Sequence, residues 1–264
     1  MFKEPSQPLH PDHPVLSKAN LYPYFLEDAK NPACMLILPG GGYAHVSHQE
    51  GPPVAGWLNS IGISACVLEY TVGLEVYPDP QQQALYAMRY LRANAEALNI
   101  DPKRIGVIGF SAGGHLAGCV SQGYEREAWY LDPDQCLEGI SARPDATILS
   151  YAVLSPKTLH KGSYKNLLGE NRASDLIDSL AWDQCIHEDS APVFLWHTAN
   201  DDCVPVGNTY LVALALEEKS IPHEVHVYPE GAHGLGLVSI GHRREGASGQ
   251  WKAQAERWLI DLGF

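Results

Sequence analysis

Residues 105–118 read IGVIGFSAGGHLAG, an apolar run that turns abruptly through Phe110, Ser111 and Ala112 into a stretch of small residues. The first half, Arg104 to Gly109, has the β-branched richness of a buried strand, and the second opens a helix over Ala112 to Gly123. The letters at the junction are G-x-S-x-G. In a turn this tight, side chains at Gly109 and Gly113 would collide with the neighbouring strand and helix, while Ser111 is lifted clear of the sheet in strained backbone geometry. The helix that follows aims its first N–H groups at the place where negative charge develops on an attacked carbonyl. A plain turn or helix cap satisfies the same letters, but the strand before and the helix after point to a nucleophile.

Working outward, further short apolar runs are expected as strands: Ala33 to Leu38, Ile63 to Glu69, Asp145 to Ser150, Val193 to His197 and His223 to Tyr228. Helical spacing falls between them, over Gly51 to Ser60, Pro80 to Leu98, Gly207 to Lys219 and Gly249 to Leu262. Strand and helix alternate, so the expected fold class is α/β: one domain, residues 1–264, around a mostly parallel sheet with helices on both faces. Functional groups should gather at the carboxyl ends of its strands. Two stretches interrupt the rhythm, Tyr124 to Arg143 and Ser155 to Asp189. The second is too long for an ordinary connection and reads as a cap over the active-site face, with a surface insertion of no binding role as the alternative.

A serine hydroxyl needs an imidazole to take its proton and a carboxylate to orient that imidazole. In PVFLWHTANDDCVPV (192–206) a strand runs into a turn carrying Asp201 and Asp202, and in HVYPEGAHGLGL (226–237) a strand leads to a loop that presents His233. The chain order Ser, Asp, His is one known order of such triads. Both aspartates compete for the acid role, with Asp202 otherwise a helix cap. His115 sits in the helix after Ser111, out of reach as the base, and is read as a packing or orienting residue. His223 and His226, three apart in a strand, face opposite ways and make a poor metal pair; His242 and the remaining histidines also lack ligand spacing, although His160 in the cap is able to reach a substrate. An oxyanion needs N–H donors: Ala112 supplies one, and Gly41 and Gly42 in Pro39-Gly-Gly-Gly-Tyr43, directly after an early strand, are the other candidates. That loop lacks the Lys-Ser/Thr ending of a phosphate-binding loop.

Taken together, LPGGGYAHVSHQEG, GFSAGGHLA, RPDATILSYAVLS, LWHTANDDCVPV and GAHGLGL resemble the esterase and lipase branch of the α/β-hydrolases, over nearly the whole chain after residue 30. The resemblance implies the α/β-hydrolase fold and a Ser111, Asp201, His233 triad. It favours Asp201 because the acid of that group precedes a Val-Pro by a short spacer, and His233 matches the group's G-x-H-G-x base. Tyr43 matches an aromatic bordering the acyl pocket. Many relatives begin the oxyanion loop with His; Pro39 here is closer to a PGGGY subgroup described as carbohydrate acetylesterases, similar to acetyl xylan esterases. The implied activity is hydrolysis of short-chain carboxylic esters, acetyl groups on carbohydrates above all. A lipase-like or general carboxylesterase is the runner-up, and a catalytically silent binding protein is the reading from a different class.

Composition narrows the partners. A formal net charge of -13 disfavours nucleic acid and anionic membrane surfaces, so a neutral ester or acetylated oligosaccharide fits better. MFKEPSQPLHPDHP has no apolar run of signal-peptide length, and nowhere do about 18 apolar residues follow one another; a soluble, cytoplasmic protein is expected. The six cysteines form no C-x-x-C pair, which disfavours disulfides and zinc. No metal or organic cofactor is expected, and a homodimer is left open by symmetry alone. Trp129, Tyr130, Tyr151, Tyr164 and Trp182 are able either to stack on sugar rings or to pack the core and cap.

Overall fold

The computed structural model describes residues 6–158, 160, 162–170, 174–237 and 246–264; His242, the first five residues and part of the expected cap lie outside these. The chain begins with β1 (Gln7–Pro8) and β2 (Asn20–Tyr24), then alternates through β3 (Cys34–Leu38), α1 (Pro52–Ser60), β4 (Ser64–Glu69), α2 (Asp79–Ala93), β5 (Ile105–Phe110), α3 (Ala112–Gly123) and β6 (Thr147–Ser150). Three short helices follow, α4 (Gly162–Leu168), α5 (Ser174–Asp178) and α6 (Trp182–Cys185), before β7 (Val193–Thr198), α7 (Gly207–Glu218), β8 (His223–Tyr228) and α8 (Trp251–Asp261).

The eight strands form one sheet in the order β1-β2-β4-β3-β5-β6-β7-β8. From β4 to β8 neighbouring strands are parallel; β1 and β2 pair antiparallel at one edge. In β3, Cys34, Leu36 and Leu38 face one core while Met35 and Ile37 face the other, the period-two consequence of a pleated strand covered on both sides. Leu85, Met88 and Leu91 of α2, Leu116 and Val120 of α3 and Val212 and Leu216 of α7 close the first layer; Val54 and Leu58 of α1 and Trp251 and Leu259 of α8 close the second. Each aliphatic side chain so buried contributes about 1.5–3 kcal/mol relative to exposure.

Two differences from the sequence reading have local causes. β2 contains Pro23, which argues against a strand by composition, but among the described residues β1 pairs only with Asn20 and Leu21, at the edge of the sheet where a proline is tolerated. Helix α2 stops at Ala93 rather than Leu98 because Asn94 turns its side-chain amide onto the Tyr90 carbonyl, 2.9 Å away.

The described residues between 155 and 189 carry α4, α5 and α6 and are hydrogen-bonded to loops at the carboxyl ends of the strands. The Trp182 N–H donates to the Leu154 carbonyl (2.8 Å), and the N–H groups of Glu75 and Tyr77, in the loop after β4, donate to the Asn166 and Leu167 carbonyls (2.7 and 3.0 Å). Among the described residues, no helix is long and apolar enough to cross a membrane.

Candidate active site

Ser111 sits between β5 and α3 with φ 53° and ψ -119°, a conformation costly for a residue with a Cβ. The surroundings hold it there: its N–H donates to the Ser150 carbonyl (3.0 Å), and its own carbonyl accepts from His115 and Val153 (3.2 and 3.1 Å). The flanking glycines are steric requirements. A Cβ on Gly109 would lie 2.2 Å from the Gly113 carbonyl oxygen, and one on Gly113 would lie 2.1 Å from that of Leu38.

The loop after β8 brings His233 to this turn, with Nε2 2.7 Å from Ser111 Oγ. On the other side of the ring, Nδ1 lies 2.8 Å from Asp201 Oδ2, in the turn after β7. A carboxylate only accepts, so Nδ1 carries the proton and Nε2 presents its lone pair to the serine hydroxyl. Asp201 is itself held: Oδ1 accepts the N–H groups of Cys203 and Val204 (2.9 and 2.8 Å), and His197 Nε2 lies 3.3 Å from Oδ2. His197 is fully buried, with Nδ1 against the Thr209 hydroxyl and Nε2 also facing the Val204 carbonyl, so its Nε2 is a donor. Burial pushes the Asp201 carboxyl up, but hydrogen bonds from His197 and His233 outweigh it and hold the group well below the usual carboxylate range. Asp202 is exposed and does not cap α7, whose N-cap residue, Val206, makes no side-chain cap bond.

The glycine loop after β3 lies beside Ser111. Gly41 and Gly42 have φ of 123° and 66°, and a Cβ on Gly41 would sit 2.0 Å from the His45 carbonyl oxygen, so glycine is needed there. Several partners pin the loop: Tyr70 Oη donates to the Pro39 carbonyl (2.6 Å), the Gly40 N–H donates to Glu50 Oε2 (2.8 Å), and Asn166 Nδ2 of α4 donates to the Gly42 carbonyl (2.8 Å). With the Gly40 N–H engaged by Glu50, the amides of Gly41, Gly42 and Ala112 are the loop and elbow donors left for a ligand.

These groups open onto a cleft of about 440 Å³ lined by Gly41, Gly42, Ser111, His233 and Gly234 together with His45, Ser47, Gln49, Glu50, His160, Ser163 and Cys203. His160 comes from the expected cap and is anchored by the Cys203 carbonyl at Nδ1 and the Ser163 hydroxyl at Nε2, both 3.0 Å away. Burial, with His233 nearby, lowers its basicity.

One expectation changes and others narrow. Tyr43 is buried under the loop with its hydroxyl 2.8 Å from His115 Nδ1, and it does not line the cleft. His115 is an internal orienting group, its basicity lowered to about 4 by burial. Trp129, Tyr151, Tyr164 and Trp182 are buried, and Tyr130 lies under the Arg89 guanidinium, so all five pack rather than border the cleft. His223 and His226 contact separate oxygens, the Ile221 carbonyl and Glu224 Oε1. Sequence reasoning gave no role to Glu50 or Asn166 and set His197 aside with the histidines that lack ligand spacing; Glu50 stands in the quoted LPGGGYAHVSHQEG, but a lone acidic residue in a loop gives no sign of burial.

A family model described as BD-FAE matches residues 24–216, a span that includes Ser111 and Asp201 and stops short of His233. Endo-1,4-beta-xylanase B of Butyrivibrio fibrisolvens is 36% identical over 225 residues, 83% of this chain and 35% of that protein. Acetylxylan esterase of Xylanibacter ruminicola is 29% identical over 246 residues, 90% of this chain and 46% of that protein. The chain thus spans between about a third and a half of the length of these curated relatives. Among solved structures, the acetyl ester-xyloside bifunctional hydrolase from Caldicellulosiruptor lactoaceticus superposes with a TM-score of 0.90 at 40% identity, covering 100% of this chain and 98% of that one. On the family match and the sheet built around its serine elbow, the chain belongs to the BD-FAE family and has the α/β-hydrolase fold.

Proposed function

We propose that the protein is a serine carboxylesterase that removes short acyl groups, acetyl above all, from carbohydrates. The observation that carries this reading is the continuous hydrogen-bonded line from Ser111 Oγ through His233 to Asp201, opening on a cleft whose lining, among the described residues, includes no aliphatic side chain and no Phe, Tyr or Trp. Such a cleft suits a small acyl group and a hydroxyl-rich alcohol better than a fatty chain. The names of the relatives, an acetylxylan esterase and an acetyl ester-xyloside hydrolase among them, support the same substrate class.

In this mechanism Ser111 Oγ attacks the ester carbonyl carbon while its proton passes to His233 Nε2, and Asp201 stabilises the imidazolium. The N–H groups of Ala112, Gly41 and Gly42 receive the oxyanion, where each well-placed donor is worth about 10²–10³ in rate. Collapse expels the alcohol, which takes the proton from His233. Water, deprotonated by the same imidazole, then attacks the acyl-Ser111 carbonyl, releasing the carboxylic acid and restoring the serine. No cofactor takes part in any of these steps. The chain acts as a single domain, with residues 155–189 as its cap, contributing His160 and Ser163 to the cleft wall. Six unpaired thiols, two of them exposed, suit the reducing cytoplasm.

The test is a series of p-nitrophenyl esters of increasing acyl length, with acetate release from acetylated xylo-oligosaccharides measured alongside, for the protein and Ser111→Ala. Acetyl preference and sugar-derived acetate, both lost in the variant, are expected. A rise in rate with chain length would move the substrate to lipophilic esters, and the absence of Ser111-dependent turnover would leave a binding protein.

A further inference from the structure

Glu50 is 3% exposed and, among the described residues, has no cationic partner. A buried carboxylate is costly, and neutral donors offset only part of that cost. Its two donors lie on different loops. Oε2 accepts the Gly40 N–H at 2.8 Å, and Oε1 accepts the Tyr151 hydroxyl at 2.6 Å. Tyr151 passes the connection on, because its hydroxyl oxygen accepts the Gly236 N–H (2.8 Å), three residues after His233. The Tyr151 ring also meets the His233 ring edge to face, with centroids 5.1 Å apart at 72°. Gly40 packs against the elbow so closely that a Cβ there would lie 3.0 Å from Ser111 Cβ. One carboxylate therefore ties the glycine loop after β3, the residue following β6 and the histidine loop after β8 around the nucleophile.

We infer that Glu50, acting through Tyr151, is a positioning residue that sets the separation between the oxyanion donors and the His233 base; this rests on the proposed esterase reading of the same site. A tie of this kind is specific to a carboxylate. A glutamine has one acceptor oxygen and one amide: with the oxygen on the Gly40 N–H, the amide meets the already occupied Tyr151 oxygen and the Tyr151 O–H loses its acceptor. Both loops can then relax by fractions of an ångström, which disturbs the transition state far more than substrate binding.

The experiment compares wild type, Glu50→Gln, Tyr151→Phe and the double variant. Active sites are titrated with a fluorophosphonate, followed by kcat and KM for p-nitrophenyl acetate per titrated site and the inhibition constant of an alkylboronic acid that forms a tetrahedral adduct with Ser111. The expected result is a kcat at least about tenfold lower in each single variant, KM within about threefold, boronate affinity reduced in parallel, and a double variant no worse than the poorer single one. Activity per titrated site within twofold of wild type, a loss accounted for by fewer titratable sites, or multiplicative effects of the two substitutions would each overturn the inference. Should Glu50→Gln fail to fold, Tyr151→Phe, which keeps the ring and removes only the hydroxyl, carries the same comparison. If wild type is labelled at Ser111 yet hydrolyses no acyl ester, the esterase reading falls by itself, and the positioning role is read from the phosphonylation rate, which both variants then slow.

Discussion

Asp201 and Asp202 are chemically identical neighbours, and only one has its charge committed. Asp201 accepts from His233, from two backbone N–H groups and, at longer range, from His197, whereas Asp202 faces solvent. Replacing Asp201 by Asn removes the charge that favours the imidazolium and lets an amide donor face His233 Nδ1, which turns the ring to the wrong tautomer. Asp201→Asn is expected to lower kcat by about 10²–10⁴ with a small change in KM, and Asp202→Asn to stay within about twofold, both read on p-nitrophenyl acetate. Equal losses would mean that either carboxylate is able to serve. The choice rests on a two-residue spacer: Oδ1 of Asp201 closes a turn onto Cys203 and Val204, and that turn aims Oδ2 at the histidine.

At the level of elements, the segment between β6 and β7 depends on α7 through Asn208. This fully buried residue accepts the N–H groups of Leu154 and Ser155 (2.8 and 3.0 Å) on Oδ1 and donates Nδ2 to the Pro205 carbonyl (2.8 Å). Truncation strands two buried N–H groups at the start of the segment that carries His160 and Ser163. Asn208→Ala is expected to cost about 2–4 kcal/mol, since each unsatisfied group costs about 1–3 kcal/mol. In a protein of this size that lowers Tm by roughly 4–16 °C. Asn208→Asp keeps the acceptor but buries a carboxylate whose second oxygen meets the Pro205 carbonyl, so it should cost at least as much. Calorimetry checks both, and a raised KM in Asn208→Ala would show that the loosened segment borders the substrate.

Across the whole molecule, His115 links stability to pH. Held at about 4 in the folded protein and near 6.5 in the unfolded chain, it takes up a proton on unfolding between those values. Stability from this residue is therefore intact above about pH 6.5, falls as the pH drops through the window and levels off below pH 4, a total of about 3 kcal/mol. Asp201, whose folded value is depressed, has the same sign but a lower window: its contribution is present above the usual carboxylate range and is lost only at more acid pH. Urea unfolding at pH 7, 5.5 and 4.5 should show a steeper decline for wild type than for His115→Gln. Identical slopes would mean that His115 is protonated in the folded protein.

How much of this was legible from sequence depended on whether the signal was local. Apolar runs such as Cys34–Leu38 and Ile105–Phe110 declare buried parallel strands because both their faces are covered, and the glycines around Ser111 declare the elbow because backbone sterics permit nothing larger. The parallel sheet was therefore readable, the serine, the histidine and the two competing aspartates could be named as candidates in chain order, and the preference for Asp201 came from the family resemblance, in which the acid precedes a Val-Pro. Strand β2 was hidden by Pro23, whose tolerance depends on the strand lying near the edge of the sheet, and the aromatic residues offered no sign of which were buried. The roles of Glu50, Tyr151, His197 and Asn166 were decided by tertiary structure alone. Glu50, Tyr151 and Asn166 act through hydrogen bonds between loops distant along the chain, and His197 is set against Asp201, four residues on, by the turn after β7; no periodicity or spacing along a sequence encodes which groups the sheet will bring together at the ends of its strands.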